Sequence, residues 1–166
     1  MTDAPQDDVR QLVSQLSSEN PVERQDARAA LVRINTDAVP HLIEVLDAPQ
    51  QHLRWEAAKA LADIADPAAA EPLVLRLGDE DTDVRWVAGE ALIAIGRDAV
   101  RPLLDMLTRL GREDGIPEGA HHVVHDLAGE HELAPVLKPV LKAFDTAEPG
   151  TAVPLAAHHA LAAFDG

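Results

Sequence analysis

Residues 54–64 read R-W-E-A-A-K-A-L-A-D-I and residues 85–95 read R-W-V-A-G-E-A-L-I-A-I, one pattern returning at an offset of 31. A period of that length marks a solenoid, in which each unit is one supersecondary element stacked on the next. The alanine–leucine core of the pattern recurs at Ala27–Leu31, Ala57–Leu61, Ala88–Leu92, Ala120–Val124 and Ala157–Leu161, at spacings of 30, 31, 32 and 37. Between these cores runs a second segment: A-V-P-H-L-I-E-V-L (38–46), A-A-E-P-L-V-L-R-L (69–77), A-V-R-P-L-L-D-M-L (99–107) and L-A-P-V-L-K-P-V-L (133–141). Each unit is then two short amphipathic helices, neither able to bury its apolar stripe alone. No stretch alternates with the period of a strand. The expectation is an all-α fold: a curved α-solenoid of about five two-helix repeats with helical caps. It forms one domain over residues 1–166, with weaker repeats in 117–166.

The punctuation between the cores agrees. Asn20-Pro21-Val22-Glu23 reads as an N-cap, a proline at the first helical position and a glutamate that completes a capping box. Asp37, Asp66 and Asp98 are candidate N-caps, where a carboxylate accepts from free N–H groups and meets the positive end of the helix dipole. Pro40, Pro72, Pro102 and Pro135 then fall in first turns, where proline removes no helical hydrogen bond. Pro139 lies mid-helix and is expected to kink or shorten it. A polar loop, Gly111 to Pro117, separates the third and fourth units. An unpaired helix of about Asp7 to Leu16 opens the chain and another, about Val153 to Phe164, closes it, both as candidate caps. The last is apolar enough to pair with a second copy.

Composition narrows the function. There is no cysteine, so disulfides and thiolate metal sites are excluded, which fits a cytoplasmic setting. Met1 to Arg10 is polar and shows no signal peptide, and no apolar run is long enough to span a membrane. The formal charge is −15, with 14 Lys and Arg against 29 Asp and Glu. Such a surface repels phosphate backbones, so nucleic acid is not an expected partner, whereas a basic partner is. The same acidity also serves simply to keep an alanine- and leucine-rich chain in solution. Eight histidines make the charge, and any association that depends on it, sensitive to pH.

The pattern resembles the HEAT-like repeats of bacterial proteins and of the phycobilin-lyase family. The residues that carry the resemblance are Asp83-Val84-Arg85 followed by Ala88, Ala91-Leu92 and Ile95, then Ala99 to Leu107 as the next first helix. Leu53-Arg54 followed by Ala57, Ala60-Leu61 and Ile64 is a second match. The resemblance is close over about residues 20–110 and loose over 117–164. It implies a curved solenoid whose second helices line the concave face, used in most such proteins to bind other proteins. It specifies fold far more than function. Deoxyhypusine hydroxylase, a di-iron HEAT-repeat enzyme, carries His-Glu pairs at the start of second helices. Here those positions hold Trp55-Glu56 and Trp86-Val87, so that activity is not implied. HEAT-like DNA glycosylases line their concave face with aromatics, but the acidity of this chain speaks against that use.

At 100° per residue, Leu53, Ala57, Ala60, Leu61 and Ile64 form the core stripe, and Trp55 falls opposite with Ala58, Lys59 and Ala62. The same phase gives Trp86, Gly89, Glu90 and Ile93 in the next unit and Gln25, Arg28, Ala29 and Val32 in the one before. It gives Glu118, His121, His122 and His125 in the fourth, and Leu155, His158, His159 and Ala162 in the fifth. Helices stacked about 10 Å apart would join these into one strip. Trp55, Trp86, Ile93, Lys59, Glu90 and Arg28 are the candidate groove residues. Ala58 and Gly89 are small and would leave room beside the rings for an apolar or cationic group. Alternatively, the tryptophans pack sideways onto Arg54, Arg85 and neighbouring helices.

Glu118, His121, His122, His125, His158 and His159 are the candidate metal ligands. His121 and His125, and Glu118 and His122, are i, i+4 pairs on a helix face, suited to a divalent ion such as zinc. The other reading is a protonation-sensitive polar surface without cofactor. The run Asp79-Glu80-Asp81-Thr82-Asp83 lacks EF-hand spacing and is expected to cap the following helix. No nucleophile elbow, phosphate loop or dinucleotide fingerprint is present. The expected function is a non-enzymatic adaptor that binds a protein or peptide on its concave face. The alternative is a small-molecule or metal-binding protein such as a bilin-lyase-like chromophore handler.

Overall fold

The structure, a computed structural model, describes residues 4–111 and 114–165, with side chains from Asp8 onward. Among the described residues it holds ten α-helices and no strand: α1 (Ala4–Gln15), α2 (Pro21–Ile34), α3 (Val39–Glu44), α4 (Gln51–Ile64), α5 (Ala70–Arg76), α6 (Thr82–Ile95), α7 (Arg97–Arg109), α8 (Glu118–Leu127), α9 (Ala134–Phe144) and α10 (Pro149–Phe164). Short 3₁₀ turns at Asn35–Ala38 and Pro67–Ala69 lead into α3 and α5.

Local chemistry sets the boundaries. The Asn20 side chain accepts from the Val22 N–H at 3.0 Å, with Pro21 at the first helical position. Glu23 does not close a capping box; its carboxylate takes the Ser18 hydroxyl instead. Asp66 caps through Ala68 at 2.8 Å, and Asp81 caps α6 through Asp83 and Val84 at 2.9 and 3.1 Å. The expected caps at Asp37 and Asp98 are not formed. Asp37 lies inside a 3₁₀ turn that makes no side-chain cap. α7 begins at Arg97 behind Gly96, whose φ of 72° suits glycine, so Asp98 sits in the first turn and meets the dipole without capping. With that earlier start Pro102 falls inside α7, not in its first turn, and α9 continues past Pro139 to Phe144.

Second helices α2, α4, α6 and α8 pack in order, each on the next, and α5 packs on both α6 and α7. α1 packs on α2 and α3, so it is the first helix of the first pair and not the unpaired cap expected from the sequence. Between the rows runs a continuous core in which Leu31, Leu61, Leu73, Leu92, Leu103 and Leu127 are 0% exposed. Ile95, at the last turn of α6, is only half-buried.

The final pair departs from the pattern. α9 packs on α8, continuing the row of second helices, and α10 packs on α7, continuing the row of first helices. Arg101 of α7 pairs with Asp165, and the Arg97 guanidinium lies 4.8 Å from the centre of the Phe164 ring. α10 is therefore not the fifth second helix that the repeat register predicts.

An arginine ladder ties the regular units together. Arg24, Arg54 and Arg85 each donate Nη1 to the carbonyl six residues earlier: Ser18 at 2.7 Å, Ala48 at 2.9 Å and Asp79 at 2.7 Å. Each also reaches a carboxylate further along the stack: Glu56 at 3.3 Å, Asp79 at 2.8 Å and Glu118 at 2.8 Å. Arg54 and Asp79 are both buried. Burial pushes the Asp79 carboxyl up. The hydrogen bond from Arg54, the Asp81 N–H and the charges of Arg54 and Arg76 outweigh it and hold the group below its ordinary value. Arg54 is raised in turn, chiefly by the bond to Asp79.

Candidate docking surface on the second-helix row

The outer side of α4, α6 and α8 carries the residues singled out by helical phase. Trp86 is 58% exposed and is the one exposed ring among the two tryptophans and two phenylalanines of the chain. One face of its indole stacks on His122 of α8, with centroids 4.5 Å apart and planes 16° from parallel. His122 Nε2 lies 3.0 Å from Glu90 Oε1, one turn beyond Trp86 on α6. Trp86, His122 and Glu90 thus form a braced unit in which two helices hold an aromatic plate upright.

Trp55, one unit earlier, is half-buried. The Arg28 guanidinium of α2 lies 5.5 Å from its ring centre, and that same guanidinium pairs with the buried Glu56. Trp55 also borders a small cavity of about 170 Å³ with Arg24, Gln51, His52, Glu56 and Asp83. Lys59 turns away to Asp63 at 3.0 Å, and Ile93 is half-buried against the core. The room expected beside the rings is largely filled. Ala58 is 0% exposed, and a methyl added at Gly89 would meet Val123 at 3.4 Å and His122 at 3.5 Å. The tryptophans are flanked by helix packing below and open only outward.

The six candidate metal ligands do not gather. Glu118 pairs with Arg85 and His122 with Trp86 and Glu90. His121 sets its ring edge-on to Phe144 of α9 at 5.1 Å, with His125 at 6.3 Å. His158 and His159 are exposed on α10, in the other row, because the last pair is exchanged. Among the described residues no group of three His, Asp or Glu side chains converges on a point that could hold an ion. Leu155, assigned by register to the same strip, is 56% exposed on α10.

Glu56, Asp79 and Asp83 were not singled out as site residues in the sequence. Asp79 belongs to the acidic run read as a cap, but its work is to hold Arg54; Asp81 alone caps. The available signal was the recurrence of Arg24, Arg54 and Arg85 in register with the alanine–leucine cores.

The family model described as HEAT repeats matches residues 9–93. Nothing in that match singles out the phycobilin-lyase type. No curated protein matches the chain. Among solved structures, the crystal structure of an engineered protein is similar at a TM-score of 0.50 and 23% identity, covering 95% of this chain and 79% of the other. A second engineered protein aligns at a TM-score of 0.45 and 22% identity, over 95% of this chain and 48% of the other. At these identities the first likeness speaks for the fold alone. No helix among the described residues is long and apolar enough to cross a membrane.

Proposed function

Because the chain belongs to the HEAT-repeat family, we propose that it is a protein-interaction scaffold that receives a peptide or protein segment on the outer side of its second-helix row. The observation that carries this reading is Trp86: a large aromatic held 58% exposed by a stacked histidine and offered outward. Tryptophan is enriched among residues that dominate binding energy, because it combines a wide apolar area with few rotatable bonds. A solenoid face supplies the second requirement, a long surface on rigid elements. The formal charge of −15 favours a basic segment as the partner.

The test is quantitative capture from the native host with wild-type protein and with Trp86→Ala. A partner retained by the first and lost by the second is the expected result, with the variant's thermal unfolding close to wild type. Identical capture by both proteins would remove Trp86 from the interface.

A further inference from the structure

The two tryptophans occupy equivalent positions, and the chain itself shows what such a ring accepts. Over Trp55 lies the guanidinium of Arg28, anchored by the Glu56 carboxylate. In the register of the alanine–leucine cores, the counterpart of Arg28 one unit on is Ala58, and that of Glu56 is Val87. Ala58 is small and fully buried, Lys59 is engaged with Asp63, and among the described residues no cation lies over Trp86. The anionic half of the arrangement is nonetheless present. Asp83, Trp86 and Glu90 fall within about 60° of one another at 100° per residue, so two carboxylates flank the ring one turn to either side. Asp83 forms no ion pair among the described side chains, and the hydrogen-bond partner of Glu90 is an imidazole. His122 covers one face of the indole; the 58% exposure belongs to the rest.

We infer that the open face of Trp86 is a slot for an arginine side chain of the bound segment, which rests on the docking surface proposed above and assigns its chemistry. The incoming guanidinium would lie on the indole as Arg28 lies on Trp55, with Asp83 and Glu90 as its counter-ions. A flat guanidinium suits stacking on an aromatic plane better than a compact, strongly hydrated ammonium. The choice of a cation also follows from the charge of the surface, where an acidic segment would be repelled.

The two tryptophans give two indole N–H signals in a ¹H–¹⁵N spectrum, and Trp86→Phe assigns them. The probes are Nα-acetyl-arginine amide, its neutral citrulline counterpart and Nα-acetyl-leucine amide, each titrated into the full chain. Arginine is expected to move the Trp86 signal progressively and leave Trp55 in place. Citrulline is expected to be without effect. In Asp83→Asn/Glu90→Gln, two exposed changes that keep a hydrogen-bonding group beside His122, the arginine response should fall several-fold. Silence of Trp86 toward arginine, an equal response to citrulline, or an undiminished response in the double variant would each overturn the slot. A Trp86 signal that moves with leucine but ignores arginine would overturn the slot and leave the docking face standing. Silence toward every probe, with partner capture indifferent to Trp86→Ala, would remove both.

Discussion

From α2 to α6 the junctions between units are held by arginines drawn into the structure; around α7 and α10 the arginines lie outside it. Arg54 and Asp79 are 5% and 8% exposed, and their bond doubles as a clamp on the preceding turn through the Ala48 and Pro49 carbonyls. Arg101 and Asp165 join α7 to α10, yet their side chains are 55% and 41% exposed. The register position that follows Arg85 is Pro117, at the end of the polar loop, so the ladder stops there. The two regions teach that repetition in sequence and repetition in space are enforced by different residues. Apolar stripes build helix pairs anywhere in the chain. The arginine ladder, with Arg54 buried at its centre, accompanies the regular order of helices, and the exchanged pair lies beyond its end.

Removing one arginine from each region should have very unequal effects. Arg54→Ala leaves the buried Asp79 carboxylate with only the longer 3.6 Å pairing to Arg76 and takes the donor from two carbonyls, and should cost toward the lower end of about 3–5 kcal/mol. Arg101→Ala removes an exposed pair and should cost about 0–1 kcal/mol. Denaturant unfolding of both variants measures the contrast, and equal losses would dissolve it.

Acid probes the same junction without mutation. Asp79 titrates below its unfolded value in the folded chain, so its contribution is complete above the ordinary carboxylate range near pH 4 and is lost as pH falls through the depressed value. The pH profile of stability should therefore fall on the acid side, and Asp79→Asn should flatten that fall. An unchanged profile in the variant would assign the acid sensitivity elsewhere.

A smaller effect compares two glycines at the boundary between the regions. A methyl at Gly119 would sit 2.9 Å from Leu77 Cδ2 and 3.4 Å from the Leu77 carbonyl, in a packed core. Gly119→Ala should cost about 1–3 kcal/mol as α8 is pushed off α5. At Gly89 the nearest atoms are 3.4 and 3.5 Å away, within ordinary contact. There Gly→Ala should gain about 0.5–1 kcal/mol from helix propensity. Thermal unfolding of the two variants reads the opposite signs.

Much of the fold was legible because helix periodicity and the returning alanine–leucine cores are local facts. The pairing of α3 with α4 and the cap at Asn20 followed from residues near one another in sequence. The exchange of α9 and α10 did not, since an amphipathic stripe says that a helix has a buried side but not which row it joins. The same gap misplaced His158 and His159, whose phase on their helix is outward but whose helix stands in the other row. Helical phase sets Trp55 and Trp86 alike opposite the core stripe, yet only Trp86 is exposed, while Trp55 is half-buried against the core. Phase is blind to what arrives from adjacent helices, so Arg28 over one ring and His122 under the other had to come from the structure.

The exchange of the last pair also has a consequence in time. In the regular stack each helix finds its neighbours within about one repeat of chain, and short closures of that kind form early and rapidly. The outer flank of α7 is completed by α10 instead, and the Arg101–Asp165 pair closes a span of 64 residues. As the chain leaves the ribosome, the units up to α6 can settle in sequence, while α7 presents a bare side until Pro149–Phe164 has been made. That interval is when the apolar side of α7 is most open to a chaperone or to the wrong neighbour.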